Sequence, residues 1–167
     1  MDFVQVKIDI INWLVNFVEV PHAALGDWPP CPYARRARLN GEYQVRVGLD
    51  PYYDLLQIGS TGLGDTKVII LAYDPAEWSY QQFNRSLEAA NRGFLLPKDI
   101  IALEDHPADP EMVNGVCMNQ GTYALVMVQS LSDLNAKARA MASKGFYATW
   151  PEDYLQRLFQ HREDPRL

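Results

Sequence analysis

Polar residues in the first twenty positions recur at spacings of four, three, four and three: Gln5, Asp9, Asn12, Asn16 and Glu19. Nearly every position between them is apolar. This predicts a helix with a narrow polar stripe, which has to be covered on most sides. Its own domain supplies that cover in the simplest reading; a homodimer seam through the N-terminal helix is the alternative.

Pro21 ends this helix and a rigid loop runs to Pro30. Cys31 then falls at an N-cap and Pro32 at the first helical position, so "YARRARLN" reads as a short helix closed by Gly41. "EYQVRVGL" alternates and reads as a half-exposed strand; "DPYYDLLQI" is a helix opened by Asp50 and Pro51, followed by a flexible loop, "GSTGLGDT". "KVIILAY" is a continuous apolar run suited to a central strand. Asp74 and Pro75 open a helix with Trp78, Phe83, Leu87 and Ala90 on one face, closed at Gly93. "KDIIALED" gives the third strand and runs into His106 and Pro107. After a loop of fourteen residues, "PADPEMVNGVCMNQ", "TYALVMVQ" is the fourth. Ser130 and Asp133 form a capping box for the next helix, and a last helix starts at Pro151. The tail 162–167 reads as loose.

This order predicts an α+β domain over residues 1–167, with an extra N-terminal helix. Its four-stranded, largely antiparallel sheet is ferredoxin-like, with helices packed on one face. The first strand would fill the remaining sheet position, as in a circular permutation.

Composition narrows the class. A chain of 167 residues, 48% hydrophobic and 22% charged, buries a core without disulfide staples. The net charge of −6 argues against nucleic acid or an anionic membrane as partner. Two cysteines and no signal-peptide pattern point to a reduced, cytoplasmic protein.

Two places stand out for chemistry. A thiol at a helix N-terminus, followed by Arg35, Arg36 and Arg38, has its thiolate favoured by the dipole and by positive charge. The bland reading of Cys31 is a small apolar plug. The long loop carries His106, Asn114, Cys117 and Asn119, with Asp105 just before it. His106 suits a general base, and equally a plain cap on the strand end beside a rigid His-Pro turn. His22, Cys31, His106 and Cys117 are the right inventory for zinc, but their spacings are wrong. "GSTGLGD" lacks the lysine and following helix of a phosphate loop, and no hydrolase elbow, dinucleotide fingerprint or kinase set is present.

Several segments together resemble an uncharacterised domain-of-unknown-function family of bacteria and plants. They are "CPYARRARL", "VIILAYDPAEWSYQQFNRSLEAAN", "IIALEDHPADP", "NQGTYALVMVQSLSDL" and "WPEDYLQRL". The family carries a Cys-Pro-Phe-Ala box, a later His-Pro and an Asn-Arg-Ser-Pro-Tyr-Pro segment. Cys31, Pro32, His106, Pro107, Asn119 and Tyr123 match its positions, while Gln120, Thr122 and Ala124 depart from it. The resemblance names no reaction and no cofactor. The leading expectation is a small enzyme or redox protein with a thiolate-type site centred on Cys31 and His106. Asn119 and Tyr123 would be positioners, and Arg35 or Arg36 would contact a small, anionic substrate. The rivals are a non-catalytic assembly protein using the apolar first helix, and a metal or haem protein using Cys31 and His106.

Overall fold

The computed structural model describes residues 1–167. Asp2 caps helix α1 (Phe3–Trp13) by accepting from the Val4 N–H, and the helix runs on through one π-type turn to Val18. Helix α2 (Ala34–Leu39) precedes strand β1 (Tyr43–Val47), and helix α3 (Pro51–Thr61) follows it. Next come β2 (Val68–Tyr73), α4 (Tyr80–Ala90) and β3 (Ile100–Asp105). A miniature hairpin, β4 (Met112–Val113) and β5 (Val116–Cys117), precedes β6 (Ala124–Ser130), α5 (Leu131–Ser143) and α6 (Glu152–Leu158).

The main sheet has the order β1-β2-β6-β3, with β1 parallel to β2 and β6 antiparallel to both its neighbours. The α+β class and the four-stranded, mostly antiparallel sheet are as expected. Strands β2 and β3, joined through α4 and separated by β6, form a split β-α-β unit, as the expected ferredoxin-like plan requires. Strand β1 departs from that plan: it lies parallel to β2, whereas a permuted ferredoxin-like edge strand would be antiparallel.

Helices also cover both faces, not one. The crossovers β1–α3–β2 and β2–α4–β3 step the same way along the sheet, and so place α3 and α4 on the same side. There Leu55, Ile58, Phe83 and Leu87 pack on Ile69, Leu71 and Tyr73. The opposite face presents Ile70, Ala72 and Leu125, and no crossover reaches it. Val6, Ile10, Leu14 and Ala34 of α1 and α2 cover it instead. A third cluster joins Leu25 and Val113 to Phe146, Tyr147, Trp150, Leu155 and Phe159.

Four local boundaries differ from the sequence pattern. Helix α3 continues to Thr61, three residues into the expected loop. Helix α4 begins at Tyr80, because Ser79 and Gln82 make the reciprocal capping box that Asp74 does not. Gly93 lies inside the π-type turn Asn91–Leu95 that extends α4. The tail is tied down: Arg166 pairs with Glu152 and Asp164, Glu163 with Arg139, and the Glu163 N–H donates to Asn135.

At the outer edge, the Asn91 side chain donates to the Ala102 carbonyl and accepts from its N–H, both at 2.9 Å. No helix is long and apolar enough to cross a membrane.

Candidate functional site

Cys31 lies one turn before α2, whose N-cap is Tyr33 rather than Cys31. Its N–H donates to the Val18 carbonyl, and its side chain packs against the cluster built on α1. The residue is half-buried, and desolvation pushes its thiol above its ordinary pKa. Hydrogen bonds from the Tyr33 and Ala34 N–H groups and the charge of Lys137 pull the other way and lose. The N–H groups at the helix start lower the thiol pKa, but desolvation outweighs them.

His106 sits at the far edge of the sheet, on the other face. Its ring contacts Tyr80 and Phe83 of α4, its Nδ1 accepts from the Ala108 N–H, and its Nε2 pairs with the Trp78 carbonyl at 2.8 Å. These bonds assign Nδ1 as acceptor and Nε2 as donor, and both ring nitrogens are occupied. This is the geometry of the strand-capping histidine. The structure does not bring Cys31 and His106 together: one packs under α1 beside β1, the other under α4 beyond β3. His22, Cys31, His106 and Cys117 do not gather into a group that could hold a metal ion.

The other expected residues also separate. Tyr123 donates to Asp9 of α1 at 2.6 Å, and this bond is the main cause that pushes its hydroxyl up to about 12. Arg35 and Arg36 are exposed on α2, while Arg38 makes a two-pronged pair with Glu19 at 2.7 and 2.9 Å. Only Asn119 meets His106. Its side-chain amide donates to Asp105 and to the carbonyls of His106 and Asp109, and its oxygen accepts from the Glu111 N–H at 2.6 Å. Asn119 therefore shapes the loop from His106 to Glu111.

That loop builds a site which local pattern does not reveal. Glu104 lies one residue before the end of β3, and Asp109 and Glu111 return beside it, with carboxylate oxygens within 4.8 Å of one another. Arg157 of α6 reaches in to pair with Asp109, and lies 3.8 Å from Glu104. Tyr154, one turn earlier on α6, donates to Glu111 at 3.2 Å, and Glu104 accepts from the His106 N–H at 2.7 Å. The cluster borders a cavity of about 400 Å³ between α4, β3, α6 and the segment after it. Leu87, Ile101, Leu103, Met127 and Leu158 give it apolar walls, and Glu88 and His161 pair at 3.1 Å across one side.

Burial, and then the neighbouring Glu111, hold the Glu104 carboxyl well above the ordinary carboxylate range. Burial and then the charge of Asp105 push Glu111 up to about 7. The Tyr154 hydroxyl is raised as well, by burial and by Glu111. One arginine cannot neutralise three crowded acids, and the Glu104 and Glu111 carboxyls are both held above the ordinary carboxylate range. Such carboxyls are suited to giving and taking a proton near neutral pH. The same three oxygen donors are the residues that could hold a hard cation.

The signals for this site are thin. A Glu-Asp pair closes an otherwise apolar strand, and a second glutamate lies seven residues beyond Glu104. Tyr154 and Arg157 follow more than forty residues later, and nothing local connects them to the acids. Compared with known proteins, the chain matches no family model, no curated protein and no solved structure.

Proposed function

We propose that the chain acts on a small polar molecule held in the cavity along β3, by acid–base chemistry between Glu104 and Glu111. Arg157 fixes the acids in place, and Tyr80 and Tyr154 wall the bound molecule. The observation that carries this reading is the gathering of Glu104, Asp109 and Glu111 beside a cavity of about 400 Å³, with one arginine among them. That volume is in the range of small-molecule sites, and its mixed apolar and polar lining is of the same kind. A reducing cytoplasm suits this reading, because two unpaired cysteines, one of them exposed, persist there as thiols. The family resemblance bears on this reading only through His106 and Asn119, which build the loop that carries Asp109 and Glu111.

The test is a protein-observed NMR titration with a panel of small amines, amides and hydroxy acids. Binding is expected to move the methyl resonances of Ile101, Leu103, Met127 and Leu158. It is also expected to change in affinity with a midpoint near pH 7, and to lose that pH dependence in Glu111→Gln. A panel that leaves these resonances unmoved, or a response identical in Glu111→Gln at every pH, overturns the proposal.

A further inference from the structure

The cavity along β3 has an acidic end and an apolar end. Strands β2 and β3 both run antiparallel to β6, so α4, which joins them, runs back against β3. Tyr80, at the start of α4, therefore stands by the end of β3, where its ring meets His106 at 5.9 Å. Asn91, just past the end of α4, reaches Ala102 instead. Glu104, Glu111, Tyr80 and Tyr154 thus share one end of the cavity. Leu103 and Met127, opposite each other across β3 and β6, and then Ile101 line the way back. From Glu104 to Ile101 is about 10 Å of extended chain.

We infer that the molecule held here is a primary amine with one ammonium group and a compact apolar body, its ammonium seated between Glu104 and Glu111 beside Tyr80 and Tyr154. The inference rests on the reading above, that this cavity is where the chain binds its small molecule.

Charge selects the class. Glu104 and Glu111 line the acidic end, and Asp109 stands with them. The one guanidinium among them, Arg157, is held by Asp109 and lies 3.8 Å from Glu104, so it is not free to receive an anion. Two tyrosines at the same end add an attraction that aromatic rings offer to cations alone. A bare metal ion would fill the acidic end and leave the apolar length empty. Glu88, the other acid on the lining, is already matched by His161 at 3.1 Å and Arg92 at 3.4 Å, so a single ammonium is called for.

Binding exchanges one positive charge for another. The ammonium keeps its own protons and takes the place of a carboxyl proton, which passes to solvent. Asp105, Asp109, Tyr80, Tyr154 and Arg157 face the two carboxyls, with Glu88 and His161 across the cavity. Burial holds Glu111 at about 7, so an amine binds better as pH rises through that value. An anion would bind better as pH falls.

The probes are 2-phenylethylamine and butylamine, the alcohols 2-phenylethanol and butanol, and the anions phenylacetate and butyrate. Each is titrated against the methyl resonances of Ile101, Leu103 and Met127. At about pH 8 the amines should bind at least about tenfold more tightly than the alcohols, and the anions should leave the resonances unmoved. Amine affinity should rise about tenfold from pH 6 to pH 8, and calorimetry in phosphate and in Tris should show a proton released. Glu111→Gln, with an unchanged circular dichroism spectrum, should lose that rise; the comparison of probes needs no variant. Alcohols or anions that bind as tightly as the amines, or amine affinity that falls as pH rises, overturn the inference and leave the cavity a binding site. Resonances that no probe moves overturn both.

Discussion

At the scale of single residues, burial decides which side chains can react. Cys31 is half-buried in the cluster under α1 and its thiol pKa is raised by that burial; Cys117, on β5, is exposed. Iodoacetamide is therefore expected to label Cys117 in the native protein at least about a hundredfold faster than Cys31. Mass spectrometry of the digested protein reads both sites, and equal labelling would show that the Cys31 thiol is open. The sequence displays the frame of prolines around Cys31, because prolines act locally. It does not display the burial, because the covering residues come from α1 and from β1. For His106 the sequence places the residue at a strand end beside a His-Pro turn, and the structure fills both ring nitrogens with backbone partners.

At the scale of elements, hydrophobic period reads extent better than arrangement. The strands β1, β2, β3 and β6 and the caps Asp50 and Ser130 stand where the pattern places them. The pattern cannot say that β1 is parallel to β2, since a strand alternates identically in either direction. It also leaves β4 and β5 inside a long loop, although "VNGV" carries the Asn-Gly pair of a two-residue hairpin. Asn114 (φ 52°) and Gly115 (φ 81°) both take left-handed conformations there. Asn114 also donates to the carbonyls of Ala24, at 3.0 Å, and Thr149, at 2.7 Å. It thereby ties three distant segments around the third hydrophobic cluster. Asn114→Ala removes both bonds and the residue type that tolerates that backbone, and should cost about 2 kcal/mol in urea unfolding. Asn114→Gly, which keeps the backbone freedom, should recover part of it. A loss below about 0.5 kcal/mol would mean that the hairpin is not a tie.

At the scale of the whole molecule, the acids along β3 link stability to pH. A carboxyl raised in the folded state binds its proton more tightly than in the unfolded chain, so folding is favoured where that proton is present. For Glu111 the contribution is complete below the ordinary value of 4.5 and is lost as pH rises through about 7. Glu104 acts in the same direction. Stability should therefore fall between about pH 5 and pH 8, and Glu111→Gln should remove about 2 kcal/mol of that fall. Parallel denaturation curves for the two proteins across this range would show that Glu111 carries no such linkage. The sheet edge beside these acids has a different consequence. Asn91 offers Ala102 the acceptor and donor that a neighbouring strand would offer, at the middle of the outermost strand. An incoming chain finds that rung of the ladder already taken. One buried amide thus works as a guard against amyloid-like stacking, and helps keep the protein dispersed when it is crowded.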